Sequence, residues 1–333
     1  MAVNITKLNP ADIDLFRQLF HTVFGREMNA QMFQWKYIDN PCQTDNESYN
    51  VVVAKDGTRI IGARPSFAMS ILYKGKRYHA AQPCDTMLLP DYRGSGLFSK
   101  MITYALNDLR QQGINYIFNF PNSNSYPGYI RNGWIDNGPV EAGIRVMSLK
   151  NTIVSRISKG KLKYAYTPDI SPGKEFNISA LAPSGAEELL CGTFNSSNYI
   201  AQYRSENWLN WRFSQCPNGK IYRFLAIKSE NQLAGYAVLA LTNSGAGEIV
   251  DYLVQGHDPV LFAELLRGSL QWFRMQGVRH VKTWYAHSSH RKVLNSHLFI
   301  PQKLKINHVF RCLDETPFTD AMWYLNMGDT DTH

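Results

Sequence analysis

No stretch of about 18 uncharged apolar residues occurs in this chain, which excludes a membrane-spanning helix of ordinary length. The opening residues, MAVNITKLNPADIDLF, lack the basic-then-apolar plan of a secretory signal, so a cytoplasmic location is expected. Cysteine is sparse: Cys42, Cys84, Cys191, Cys216 and Cys312 are odd in number, widely spaced and without a Cys-x-x-Cys pair. Neither a disulfide framework nor a thiolate zinc site fits that pattern. Histidine adds no metal signal, because His287 and His290, with His297 beyond, have no carboxylate partner at ligand spacing. No metal is expected.

What is present is enough apolar residue, 44% of 333, to fill two cores of ordinary domain size. A formal charge of +8 suits a nucleic acid, an anionic small substrate or the phosphates of a cofactor equally well. The densest basic stretch, Lys150 to Lys163, has no aromatics interleaved with its charges. It reads as a connector, and no nucleic-acid partner is expected.

The segment from Met87 to Trp134 carries the chemistry. An apolar strand, Met87–Leu89, runs into Arg93-Gly94-Ser95-Gly96, which opens a helix with apolar positions Leu97, Met101, Ala105 and Leu109. The first amides of a helix have no partner within it, and that end carries partial positive charge, so the turn is shaped to hold phosphate. After a second strand, Ile114–Phe118, Asn122 stands seven residues before Tyr129, which is followed by Gly133 and Trp134.

These residues resemble the GCN5-related N-acetyltransferase (GNAT) superfamily. Its cofactor loop reads Arg/Gln-x-x-Gly-x-Gly/Ala, here Arg93 to Phe98 with Phe98 in place of the last small residue, and its tail pairs an Asn with a Tyr before Gly-Phe, here Asn122, Tyr129, Gly133 and Trp134. The resemblance implies an acetyltransferase using acetyl-CoA and an amine acceptor, with Arg93, Gly94, Ser95, Gly96, Leu97, Phe98 and Asn122 toward the cofactor. It also implies a thioester lying between two splayed strands, Cys84–Leu89 and Ile114–Asn119, where an amide of Met87, Leu88 or Leu89 polarises its carbonyl. Tyr129 matches the family's general acid, since a phenol stays protonated at pH 7; the other reading is an aromatic that packs its helix. Asn122 contacts the cofactor arm or caps that helix. Asp85, a carboxylate in the apolar run PCDTMLL, is either a base acting through water or half of a structural pair. Tyr126 and Trp284, which follow no repeat, are candidates for lining an acceptor cleft, whereas Trp35, Tyr37 and Trp211 are expected in the core.

The second half repeats the first. Ile5–Pro10 is echoed by Ile178–Pro183, Trp35-Lys36-Tyr37 by Trp211-Arg212-Phe213, the hairpin Val51–Gly62 by Phe224–Gly235, Asp85-Thr86-Met87 by Asp251-Tyr252-Leu253, and Leu109–Gly113 by Phe273–Gly277. The offset between paired segments stays between 164 and 176, a drift that loop insertions explain. The expected fold is α/β (α+β): two tandem GNAT-like domains, each a mixed, mostly antiparallel sheet flanked by helices. Residues 1–150 form the catalytic domain, 151–176 a basic linker and 177–333 a degenerate copy that shapes the acceptor site. In that copy His257, Asp258 and Val260 stand where the first has Arg93, Gly94 and Gly96, and Leu294 stands where it has Tyr129.

The wording YRGSGLFSK most resembles enzymes of bacterial surface-polysaccharide synthesis, which implies an amino-sugar or sugar-nucleotide acceptor. Two other readings stand beside it. One is a Fem-type peptidyltransferase drawing on aminoacyl-tRNA, which has no need of a pyrophosphate cradle; the other is a module that binds acyl-CoA without turnover.

Overall fold

The structure, a computed structural model, describes residues 3–43, 49–123, 125–148, 166–167, 169, 173, 176–314 and 321–331. The basic linker expected over residues 151–176 lies almost wholly outside them. The chain divides into two compact units that are not contiguous in sequence: Met1–Ile71, Tyr78–Gly138 and Ile306–Thr319 in the first, and Leu72–Arg77, Pro139–Lys305 and Asp320–His333 in the second. Among the described residues no helix is long and apolar enough to cross a membrane.

The first unit opens with strand β1 (Asn4–Lys7), helix α1 (Ile13–Phe24) and a short helix α2 (Ala30–Phe33). Asn29 caps α2 by accepting from the Met32 amide, and the helix runs on into a wider π turn, Gln34–Ile38, that buries Trp35, Lys36 and Tyr37. Strands β2 (Val51–Asp56) and β3 (Arg59–Tyr73) form the expected hairpin, with a register shift at Ala54/Lys55. Then come β4 (Lys76–Pro83), β5 (Met87–Leu88), helix α3 (Leu97–Gln111), β6 (Tyr116–Asn119), helix α4 (Tyr126–Arg131) and β7 (Ile135–Val146). Helix α3 buries the expected stripe of Leu97, Met101, Ala105 and Leu109.

The second half of the chain follows a similar order: β8 (Asn177–Ser179), α5 (Ala186–Phe194), β9 (Tyr199–Gln202), α6 (Glu206–Leu209), β10 (Ile221–Ser229), β11 (Gln232–Leu241), β12 (Ala246–Val254), α7 (Pro259–Met275), β13 (His280–Trp284), α8 (Ser288–Ser296), β14 (Ile300–Cys312), which enters the first unit at Ile306, and β15 (Met322–Tyr324). Helix α6 is capped by Ser205 and also ends in a π turn, Asn210–Ser214, burying Trp211, Arg212 and Phe213. The β10–β11 hairpin shifts register at Ile227/Lys228. A bulge and a π turn are local irregularities that a sheet and a helix do not need for stability, so their recurrence at matching points marks a shared plan.

Each unit is mixed and mostly antiparallel. In the first, β4 pairs with β6 in parallel at Ala80–Tyr116 and Ala81–Ile117, and β6 pairs antiparallel with residues 309–312 of β14. In the second, β12 pairs with β13 in parallel over Ala246–Glu248, and β13 pairs antiparallel with residues 142–146 of β7. Each sheet is thus completed by a strand from the opposite half of the sequence.

Candidate active site

Two strands separate beside α3. The β4–β6 pairing stops after Ala81, and at Asp85 the chain takes a left-handed turn with φ of 42°. Beyond it β5 is bonded to β3, Ala63 opposite Met87 and Gly62 opposite Leu88, while Leu89 N donates to Ile61 O at 2.9 Å. Alternate residues of an antiparallel pair face their partner, so Met87 and Leu89 point their amides at β3. The amide of Leu88 points the other way, into the gap on the β6 side.

The loop after β5 makes a single 3₁₀ turn, Pro90–Tyr92, fixed by the Tyr92 hydroxyl donating to Asp56 Oδ2 at 2.8 Å and by Ser95 Oγ donating to Tyr92 O at 2.6 Å. Gly94 and Gly96 have φ of 76° and 77°, the left-handed region where a side chain is strained, and nothing lies within 4 Å of where a Cβ would sit on either. Gly96 precedes α3 without any side-chain cap, and the amides of Gly94 through Phe98 meet no acceptor among the described residues. An open, exposed row of amides at a helix start fits a pyrophosphate. Phe98 is half-buried and turns toward α4, its ring edge 3.7 Å from the Cβ position of Gly128.

Tyr129 is buried in α4 among Ala81, Leu109, Ile117, Trp134 and Val309, with its ring edge-on to Trp134 at 4.7 Å. Its hydroxyl oxygen accepts from Asn119 Nδ2 at 2.6 Å and from Arg64 Nη1 at 3.1 Å. Asn119 has its Oδ1 occupied by the Phe120 amide at 2.8 Å, which fixes Nδ2 as the donor. Both neighbours donate, so the phenolic proton of Tyr129 is left for a third group.

Arg64 is only 2% exposed. Its guanidinium donates to Thr86 Oγ1 at 2.8 Å as well as to Tyr129, lies 5.4 Å over the Tyr129 ring, and has no carboxylate partner among the described residues. Buried cations without a counter-charge are costly. Neither Arg64, Thr86 nor Asn119 was singled out by sequence reasoning, although an arginine inside the apolar strand RIIGARPSFAMS carries the same signal that drew attention to Asp85.

Asp85 is held in a buried pair. Its Oδ2 accepts from Lys36 Nζ at 2.7 Å and from the Tyr37 hydroxyl at 2.8 Å. Burial works to raise its pKa and is outweighed by Lys36, Tyr37 and Arg26, which leave it lowered. A carboxylate held this way is a weak base and a strong structural partner. Asp251, at the matching position of the second unit, is likewise paired, to Arg204 at 2.8 Å. Asn122 accepts from the Ser125 amide at 3.0 Å, stabilising the turn before α4. Tyr126 donates to Asp136 at 2.7 Å, and Trp284, 4% exposed, is core in its own unit rather than a cleft lining.

Residues 4–135 match the acetyltransferase (GNAT) domain. The fold is GNAT-like across most of the chain. A conserved Enterococcus faecalis protein described as a probable N-acyltransferase superposes with a TM-score of 0.66 at 15% identity, over 94% of this chain and 73% of its own. A GCN5-related N-acetyltransferase from Anabaena variabilis gives 0.63 at 12%, over 94% and 73%. Saccharomyces cerevisiae N-myristoyltransferase with bound myristoyl-CoA gives 0.56 at 8%, over 92% and 82%. No curated protein matches the sequence.

Proposed function

We propose that this chain is an acyl-CoA-dependent N-acyltransferase built from a duplicated GNAT unit, with its one cofactor site and its chemistry in the first copy. The observation that carries this reading is the conjunction, on consecutive elements, of the uncapped α3 start, the strand gap faced by the Leu88 amide and the Tyr129 phenol with its proton unassigned. Acyl-CoA supplies an activated acyl group, whose transfer to an amine breaks a C–S bond and forms an amide. The amides of residues 94–98 hold the pyrophosphate, with Arg93 beside them. The Leu88 amide donates to the carbonyl oxygen as it gains negative charge.

Tyr129 gives its proton to the departing thiolate. Arg64 and Asn119, both donating to the same oxygen, stabilise the phenolate that remains until solvent returns a proton. The proton displaced from the attacking nitrogen leaves to solvent. Asp85 has no part in these transfers. Acetyl is the expected acyl group. The amino-sugar acceptor rests on the resemblance of the loop wording, and the basic charge suits an anionic sugar nucleotide.

Calorimetric titration with acetyl-CoA tests the binding half and should give one site per chain. Release of free thiol across a panel of amines, amino sugars included, tests the chemistry. Saturable binding without turnover on any amine would favour a binding module, and dependence on aminoacyl-tRNA would favour the peptidyltransferase reading.

A further inference from the structure

The second unit brings His257 to the pair His287 and His290, which lies about thirty residues further along the chain. His257 ends the turn before α7, His287 caps α8 and His290 lies one turn into α8. Ring nitrogens from all three lie within 4.8 Å of one another. His290 is fully buried and His257 half-buried, yet neither ring nitrogen of either makes a hydrogen bond of normal geometry. His287 Nδ1 accepts from the Ser289 amide at 3.2 Å and also meets Ser289 Oγ at 2.7 Å, while Ser289 Oγ donates to His257 O at 3.1 Å; zinc at His287 Nε2 therefore requires the ring proton to sit on Nδ1, donating to Ser289 Oγ in place of the amide contact.

Buried polar groups are ordinarily satisfied, and two imidazoles left wanting beside a third, His257 and His290 next to His287, need an explanation. Burial lowers the pKa of all three, that of His257 to about 4 and that of His290 to about 3, with neighbouring rings adding to the effect at His257 and His290 and the His257 backbone working against it at His290. Neutral imidazole is the form that binds metals. Aromatic rings close the surroundings, Tyr199 and Tyr324 against His257 and Phe262 against His290. The histidines also stand on the elements that carry Arg93 and Asn122 in the first unit.

We propose that His257, His287 and His290 form a binding site for one divalent transition-metal ion, with zinc as the expected occupant. Imidazole nitrogen suits zinc, nickel and copper and excludes magnesium and calcium. Three neutral ligands leave a fourth position for water or an anion. Zinc–nitrogen distances of about 2.0–2.1 Å put tetrahedral ligand atoms ~3.3 Å apart, so the nitrogens must draw in. His257 and His287 now stack face to face, 4.2 Å between centroids and 7° between planes. Loading therefore turns one of them about its Cβ–Cγ bond, which is a soft torsion.

The test uses the full chain stripped with a chelator. Calorimetry with zinc should show one tight site per chain, and cobalt should give the visible absorption of a tetrahedral site. His287→Gln and His290→Ala should each weaken zinc binding by at least about 100-fold, whereas His21→Gln, at an exposed position of the first unit, should not change it. Should His290→Ala fail to fold, His287→Gln at the half-buried helix start carries the comparison alone. The proposal is overturned if the parent chain shows no saturable zinc binding, if His287→Gln binds as the parent does, or if His21→Gln loses as much. None of these readouts depends on acyltransferase activity.

Discussion

Helices α3 and α7 occupy matching places in the two units, yet their N-termini are finished in opposite ways. α3 follows Gly96, in the left-handed region and with no side chain to cap the first turn. α7 follows Asp258, whose carboxylate accepts from the Val260 amide at 2.6 Å and from the Leu261 amide at 3.1 Å. One helix start is open to an external anion; the other has been given an anion of its own. A helix can keep its position and its core while one residue decides whether its end is a binding site.

The strand gap shows the same contrast. In the first unit Thr86 lies beside it and accepts from Arg64. At the matching position of the second unit, Tyr252 donates to Trp284 O at 3.0 Å and accepts from the Ala286 amide at 3.0 Å, closing the space between β12 and the chain after β13. The paired carboxylates differ as well. Asp85 faces Lys36, whereas Asp251 and Asp329 share Arg204.

The sharpest way to break the comparison is Gly96→Val, which installs the second unit's residue at a left-handed position. Acetyl-CoA binding should be abolished in calorimetry, and an unchanged affinity would remove the loop from the site. Tyr129→Phe keeps the ring and deletes the acid, and turnover should fall by roughly 10²–10⁴ with acetyl-CoA affinity unchanged. Full activity on the native acceptor would return Tyr129 to a packing role.

A third test uses pH. Asp85 holds its proton less tightly folded than unfolded, so its contribution is complete above the ordinary carboxylate range and is lost as pH falls through its folded pKa. Asp251 runs the other way: burial, with Asp329 adding to it, outweighs Arg204 and raises it to about 7. Its contribution is present below about 4 and is lost as pH rises through 7. Asp85→Asn should lower stability by removing the carboxylate that pairs with Lys36 at 2.7 Å, and it should flatten the acid side of the melting temperature against pH. Asp251→Asn should flatten the neutral side, and two variants with the same pH profile would refute the contrast.

The smallest effect belongs to Asp258→Ala, which should lower stability by about 1 kcal/mol through the lost cap. It should leave one acetyl-CoA site per chain, because Tyr252 still closes the gap. A second site appearing in calorimetry would show that the cap alone had silenced the second unit.

Much of the candidate site was legible because its signals are local. Gly94 and Gly96, the α3 stripe and the Asn122–Tyr129–Gly133 spacing each lie within a few turns of chain, where backbone sterics and helical period govern. Asp85 was ambiguous for the same reason: a carboxylate in an apolar strand announces a partner and does not name it, and Lys36 lies 49 residues away. Arg64 was passed over because its meaning depends on Tyr129, 65 residues on. Trp284 had no local feature to separate core from cleft. The three histidines are distant in the same sense, His257 meeting His287 and His290 only through the fold.

By itself, then, the sequence determined the glycine turn ahead of α3, the β2–β3 and β10–β11 hairpins and the absence of glycine at Asp258 and Val260, since all of these follow from conformational preference and short-range spacing. Tertiary structure alone decided which amide of Met87–Leu89 faces the gap, because that depends on the register with β3. It alone also decided that the first sheet is completed by residues 309–312 and the second by residues 142–146. Strand pairing satisfies backbone groups that are the same in every residue, so the partner of an edge is written in no motif and is settled only when the whole chain has folded.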